Sequence, residues 1–430
     1  MYLIYSIDVT IFEIKKGMKM KKILTSVVVS ALVASTLSAA DEKKDGFNLK
    51  LQDQIRYEGV SQDNALTDAA ALTNRFVLGG GYSVSGFGGY VEVTNLAALT
   101  NAYNDTSPTK DTTYSVVKDP AQTRLTQAKL TYKNKDFGAV VGRDMYTLDG
   151  HRFMGSVIWR QMPQTFDIAA LCYKGVEGLK VKAAYVFGRH GVGFYDNLLA
   201  TEINGVEDPS TKTNSVMLNA NYKMNDKISF RLYDYMISST SDTIGGAVIG
   251  TQGDLGYKVE TAVQKTASLT TSGEAAPTDI GTALYTNVEV SYKLGSTKLI
   301  ATNEILGKGT GGSAASFYTP WATLHKFNGW ADVYLGGTPT DGLADTKLGA
   351  VYKNDKLGVF KAFFHIYNDA SFSTAQGTEL EILYTRETGL KGLKFLTKAA
   401  FFTEGTEGAI SATTTDTTKV WAMLTYNFKK

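Results

Sequence analysis

One hairpin unit recurs along the chain, and a chain that repeats a hairpin needs a fold in which many similar strand pairs lie side by side. The unit reads Leu130-Thr-Tyr-Lys-Asn-Lys-Asp-Phe, then Ala220-Asn-Tyr-Lys-Met-Asn-Asp-Lys, Val290-Ser-Tyr-Lys-Leu-Gly-Ser-Thr and Ala350-Val-Tyr-Lys-Asn-Asp-Lys-Leu, with looser copies from Tyr173 and Tyr384. Each copy puts a Tyr at a strand end, where an amphipathic ring suits a membrane interface, and follows it with Lys and a tight Asn, Asp or Gly turn.

The strands that run into these turns alternate. Phe47, Leu49, Leu51, Ile55 and Tyr57 interleave with Asn48, Lys50, Gln52, Gln54 and Arg56, and only Asp53 breaks the apolar row. The same period of two appears at Val216, Leu218, Ala220 and Tyr222, at Tyr257, Val259, Thr261 and Val263, and at Val420, Ala422, Leu424, Tyr426 and Phe428. Past residue 40 there is no uninterrupted apolar stretch of about 18 residues, the least a spanning helix requires. In lipid every backbone group must be paired internally, so two-faced strands of roughly 10 residues imply a closed antiparallel transmembrane β-barrel. A soluble β-sandwich or a secreted β-solenoid also alternates. Neither accounts for a Tyr at one end of each hairpin together with an aromatic final strand.

Compartment is read from the N-terminus. Lys19, Lys21 and Lys22 precede an apolar run from Ile23 to Leu37 that ends in Ser38-Ala39-Ala40, the pattern of a secretory signal with a small-residue cleavage site. Residues 1–17 do not belong to such a signal and read as a non-native start extension, with translation beginning at Met18 or Met20. The expected organisation is therefore a signal peptide at 18–40 and one barrel domain at 41–430. Removing residues 1–40 takes away five Lys and two acidic residues and leaves 39 basic and 40 acidic side chains, a net charge of −1. That balance carries no nucleic-acid footprint.

Short turns are expected near residues 84, 135, 176, 225, 255, 295, 355 and 389, which with both termini on the same, periplasmic side gives 18 strands. The segments near 87–95 and 244–253 are the weakest strands, so 16 is the alternative count. Nine longer loops face outward, the longest from about Gly307 to Ala344. Cys172 falls on the face of Phe166, Ile168 and Ala170 and is expected to be a small lipid-facing residue.

No constellation for covalent chemistry emerges, so the chain is not read as an enzyme and no cofactor is implied. His151, His190, His325 and His365 stand far apart with no HExxH spacing, which leaves no metal site. Gly307-Lys-Gly-Thr-Gly-Gly-Ser has a phosphate loop's composition without its order, and no GxSxG elbow is present.

Two segments are too rich in rings and charges for plain loops. The first is Gly142-Arg143-Asp144 with His151-Arg-Phe-Met-Gly-Ser-Val-Ile-Trp-Arg-Gln-Met-Pro-Gln-Thr-Phe-Asp167. The second is His325-Lys-Phe-Asn-Gly-Trp-Ala-Asp332, followed by Thr338-Pro339 and Asp341-Gly-Leu-Ala-Asp345. Over about 40 residues these segments resemble the alginate-export family of outer-membrane porins, in an Arg-Phe-x-Gly-x-x-x-Trp-Arg-Gln element and a Phe-Asn-Gly-Trp-Ala-Asp element. The resemblance implies a monomeric 18-stranded barrel with an Arg-rich constriction for anionic sugars, a trimer being the alternative assembly. By motif position it points to Arg143, Arg152, Arg160, Lys326 and Asp332 as the constriction. Val333-Tyr-Leu-Gly-Gly departs from the Lys-Phe-Leu expected after that Asp, and the missing cation counts against polyuronate selectivity.

Independently of the resemblance, alternation turns Arg56, Lys129, Lys182, Arg231, Lys258, Lys361 and Lys398 inward, against Glu92, Glu260, Glu289, Glu304 and Glu381. Fixed lumen charge of this kind biases permeation without a dedicated binding site. The expected function is passive diffusion of small hydrophilic solutes, anionic ones among them, across a Gram-negative outer membrane. The partners are outer-membrane lipid, the solutes and the barrel assembly machinery. The rival readings are an exporter of an anionic polysaccharide such as alginate and a surface adhesin or structural barrel with a plugged lumen.

Overall fold

The structure, a computed structural model, describes residues 45–195, 202–203, 206–207, 212–267, 279–310, 316–335, 337–405 and 415–428. The start extension and signal peptide expected at residues 1–40 lie outside the described residues.

Eighteen antiparallel strands form one sheet that closes on itself. They are β1 (Gly46–Gln62), β2 (Ala69–Val84), β3 (Phe87–Ala98), β4 (Gln122–Lys133), β5 (Phe137–Asp144), β6 (Thr165–Tyr173), β7 (Leu179–His190), β8 (Lys212–Lys223) and β9 (Ile228–Ile237). They continue as β10 (Ser241–Gln252), β11 (Leu255–Ala267), β12 (Asp279–Leu294), β13 (Thr297–Leu306), β14 (Leu343–Asn354), β15 (Gly358–Asn368), β16 (Ala375–Glu387), β17 (Leu393–Glu404) and β18 (Thr417–Asn427). Closure is made by β1 against β18, in register from Gln52↔Asn427 to Gln62↔Thr417. The count is 18 rather than 16, because the two weakest segments are the paired strands β3 and β10.

All eight expected short turns fall between strands, and their sequences explain why. In three copies of the repeated unit the turn asparagine folds back on its own backbone. Asn134 Oδ1 accepts from the amides of Asp136 (2.9 Å) and Phe137 (2.7 Å), Asn225 Oδ1 from Lys227 and Ile228, and Asn354 Oδ1 from Lys356 and Leu357. This Asx turn satisfies two amides that a reversal leaves exposed. The Gly version in the third copy works through Gly295 at φ 57°. Rings gather just above these turns, with Phe87 against Tyr132 at 4.7 Å, Phe137 against Tyr173 at 5.0 Å and Phe360 against Tyr384 at 4.6 Å.

Alternation has its expected consequence in β8, where Leu218 is 42% exposed on the outer face while its neighbours Met217 and Asn219 are buried within. The same holds in β11, with Val259 and Val263 outward and Glu260 and Gln264 inward. Two expectations are corrected. Cys172 does not face lipid: in β6 it is Leu171 that is exposed, while Phe166, Ile168 and Ala170 are buried and Phe166 packs on Trp321 of an inner segment. An apolar residue inside a barrel has this second way to leave water, and here both faces of the strand are largely apolar. Nor are all outer connections long, since β9 and β10 are joined by residues 238–240 alone.

Candidate functional site: two inner segments pinned to the wall

Three connections at the long-loop end, 99–121, 145–164 and 307–342, bring buried residues into the barrel interior. Residues 145–164 enter through a short 3-10 turn, Asp149–His151. Asp149 anchors it to the wall, pairing with Arg231 Nε at 2.9 Å and accepting from Asn219 at 2.6 Å and from the Tyr235 hydroxyl. Phe153 is then clasped by Tyr233, Tyr235 and Tyr285 of the wall and by Phe317 of residues 307–342. Backbone joins the two segments where the Gly155 amide donates to the Trp321 carbonyl at 2.8 Å and Gln164 Nε2 bridges the carbonyls of both residues.

Residues 307–342 turn inward through a second 3-10 turn, Leu324–Lys326, and then reverse sharply, with Asn328 at φ 56°, Gly329 at φ 91° and Asp332 at φ 63°. The reversal presents the amides of Trp330 and Ala331 to Glu379 Oε1 at 2.6 and 2.8 Å, and Trp330 donates also to Glu381 at 2.8 Å. A side chain at Gly329 would collide with the Glu379 carboxylate and the Tyr367 hydroxyl. Gly fits here for two reasons, the left-handed backbone and the lack of room.

The guanidiniums of the first segment are paired with wall and segment carboxylates. Arg152 pairs with Glu304 at 2.8 Å, donates to Thr319 and Asn328 at 3.2 Å each and lies 4.8 Å over Phe327. Arg160 meets Glu58 and Asp332 at 3.1 Å each and Asp119 at 3.9 Å. Arg56 joins the same cluster through Glu58, through Asp119 at 3.3 Å and through the Trp159 carbonyl at 2.5 Å. Burial opposes the charge on Arg160, yet Glu58, Asp119 and Asp332 outweigh it and raise its pKa. Burial likewise works against the Asp332 carboxylate, but the hydrogen bond from His325 Nδ1 and the charges of Lys419 and Arg160 hold it well below the ordinary range. Burial, then Lys398 and Arg160, push His325 down to about 3 against the pull of Asp332. At neutral pH its imidazole is therefore uncharged.

Of the residues singled out in the sequence, Arg160 and Asp332 are brought into direct contact and Arg152 stands beside them, bonded to Asn328. Arg143 lies elsewhere, at the upper ends of β5 and β6, on Asp167 (2.8 Å) and His190 (2.8 Å). Lys326 is exposed, its Nζ donating to the Gly150 carbonyl at 2.6 Å. Its pKa is lowered by confinement first and then by the nearby ammoniums of Lys258 and Lys347, with Lys361 adding to them and Glu289 opposing. Among the inward wall charges, Lys129 pairs with Asp144 at 2.5 Å, Lys258 with the buried Glu260 at 3.2 Å, and Lys182 and Lys361 are half-buried. Glu58, Asp119, Lys419 and Trp421 were not foreseen, and no local signal marks them. Among the described residues no group of three or more His, Cys, Asp or Glu could hold a metal ion.

Between the segments lies a cavity of about 380 Å³, lined by Lys118, Arg152, Arg160, Arg189, Gln164 and His325 among others. Burial and then Arg160 lower the pKa of Lys118. The arrangement presents cationic and amide donors to whatever enters from the long-loop side.

No family model matches the chain, and no curated protein matches it. Solved structures do match. The barrel is similar to a BenF-like porin from Pseudomonas fluorescens Pf-5 at 14% identity, over 90% of this chain and 99% of that one, with a TM-score of 0.65. It is similar to OccAB1 of Acinetobacter baumannii at 13% identity, over 90% and 98% of the two chains, TM-score 0.65. Pseudomonas aeruginosa OpdK, solved with vanillate, matches at 14% identity over 88% and 98%, TM-score 0.62. These likenesses overturn the resemblance to alginate-export porins, since the structures matched are Occ, Opd and BenF-like porins and the two short motifs find no family model. At 12–14% identity the chain shares with them the fold of an 18-stranded outer-membrane porin.

Proposed function

We propose that the chain is an outer-membrane porin-type channel through which small hydrophilic solutes, anions favoured, diffuse passively into the periplasm. In this reading residues 18–40 are the export signal and residues 41–430 the barrel. The short turns lie on the periplasmic side, and the exposed apolar band, from Leu130 and Leu171 to Leu232 and Leu284, faces lipid.

One observation carries the anion preference. The buried guanidiniums of Arg56, Arg152 and Arg160 are matched by carboxylates, so they build the constriction, whereas the exposed ammonium of Lys326 stands near Lys258, Lys347 and Lys361, cations that outnumber the neighbouring Glu260 and Glu289. A solute that passes the constriction meets this cationic sector before leaving. Such a field biases ions within about 10 Å at 0.1 M salt.

Planar-bilayer recording tests the reading. The purified barrel should conduct, and its reversal potential in a salt gradient should mark anions as the more permeant. Lys326→Glu should shift that potential toward cations while the protein stays folded. A correctly folded barrel with no conductance would refute the channel and favour a plugged structural barrel or adhesin. A conducting barrel whose reversal potential is indifferent to Lys326→Glu would refute the anion bias alone.

A further inference from the structure

Lys398 of β17 occupies an unusual place for a wall lysine. Its Nζ lies 3.9 Å from the ring centre of Trp159, 3.9 Å from that of Trp330 and 4.7 Å from that of Trp421. It is 2.5 Å from His325 Nε2. The residue is buried. Trp159 comes from residues 145–164, Trp330 and His325 from residues 307–342, and Trp421 from β18, so one ammonium carried by β17 touches both inner segments and the neighbouring strand of the wall.

The local chemistry fits this role. Ring faces carry negative potential and attract an ammonium, most strongly where water is excluded. Among the described residues the lone pair it meets at hydrogen-bond distance is that of the His325 imidazole. His325 Nδ1 is 2.6 Å from Asp332 Oδ1, so Nδ1 carries the proton and Nε2 is left to accept from Lys398. Trp159 is stacked flat on the imidazole at 4.8 Å and 5° and meets Trp421 edge-on at 5.7 Å, and this fixes the ring faces toward the ammonium. Asp332 in turn holds Arg160 and Lys419, so the position of Lys398 is tied to the cluster around Arg160.

We propose that Lys398 is the positioning residue of the constriction, a wall ammonium caged by three tryptophans that pins both inner segments at one point and so sets the width of the passage. This goes beyond the channel reading but rests on it for the word passage. The cage itself can be tested without any conductance.

Three of the chain's four tryptophans line the cage, so intrinsic fluorescence reports on it directly. In detergent-folded barrel, Lys398→Ala should shift the emission to the red, and Lys398→Met, which keeps the length of the stem without the charge, should do the same. Methylammonium chloride should return the Lys398→Ala spectrum toward wild type in a saturable way, and sodium chloride at equal concentration should not. In bilayers the Ala variant should conduct more than wild type, and methylammonium should reverse the gain. A wild-type spectrum for Lys398→Met would mean that stem packing suffices and would overturn the proposal. So would a red shift that methylammonium leaves in place. Absence of conductance in wild type would sink the channel reading while leaving the fluorescence outcomes to decide the cage.

Discussion

Arg160 and Asp332, 172 residues apart in sequence, meet at 3.1 Å between Nη2 and Oδ2 inside the barrel. Arg160 spans Glu58 of the wall and Asp332 of the second segment, and the same Asp332 Oδ2 also meets Lys419 at 3.0 Å, while Oδ1 takes His325. Removing one partner of such a buried network leaves the other charge only partly compensated, at a cost of up to about 3–5 kcal/mol.

Arg160→Met should therefore loosen residues 145–164 without unfolding the wall. Limited proteolysis of the detergent-folded protein should give a new cut within that segment, with the barrel core resistant. Combined with Asp332→Asn, the two losses should be non-additive by about 0.5–3 kcal/mol in a double-mutant cycle. Strict additivity would mean that the two residues stabilise the site independently.

Gly329 predicts a sharper local effect. Ala there pays roughly 1–3 kcal/mol for φ 91° and adds a collision with Glu379 and Tyr367. Gly329→Ala should expel the reversal at residues 327–332, read as protease sensitivity and as a red-shifted Trp330, whereas Gly193→Ala, with open space around it, should be silent.

The acid response follows from His325. Its pKa in the folded state, about 3, lies below the ordinary 6.5, so the folded protein resists protonation more than the unfolded chain. The stability this represents is complete above about pH 6.5 and is lost progressively as pH falls toward 3, on the order of a few kcal/mol in all. Asp332, also depressed, adds a loss in the same direction, but only near and below its own ordinary value of 3.8. Tryptophan emission followed from pH 7 to pH 4 should thus move to the red in wild type, and His325→Gln should flatten the curve above pH 4. A wild-type curve that moves only below pH 4 would assign the response to Asp332 instead.

On the outer face, Arg at the membrane midplane costs about 2–4 kcal/mol. Leu218→Arg should slow or block insertion, seen as loss of the heat-modifiable folded band on gels. Lys361→Glu, a half-buried wall position turned to the lumen, should insert normally. The residue next to Leu218 is a poor control, because Asn219 holds Asp149 and Tyr235 and its loss would disturb the anchor of the first inner segment.

Orientation is checked on intact cells in a Cys172→Ser background. A thiol reagent that cannot cross the membrane should label a cysteine placed at Asp105 and should miss cysteines at Asn134 and Asn354. Labelling at Asn134 would invert the topology.

The wall was legible in the sequence because its determinants are local: an Asx turn needs only Asn134 and the next three residues, and Leu218 needs only its neighbours to declare a face. The two ring-rich motifs likewise announced segments with something to pack against. What they pack against was not legible. Glu58, Lys398 and Trp421 look like ordinary inward residues of ordinary strands, and nothing near them says that Arg160 or Trp159 will arrive from far along the chain. Cys172 was misread for the same reason, since the partner that makes the inner face of β6 apolar is the distant Trp321.

The place of β18 in the cage bears on the order of assembly. Lys419 and Trp421 come from the last strand, whose pairing with β1 also seals the wall. Contacts this distant in sequence form late, because the chain between them must first be ordered. Sealing the wall and fastening the inner segments are therefore completed by the same strand, and a chain truncated before Thr417 would leave its two inner segments without their final fastening.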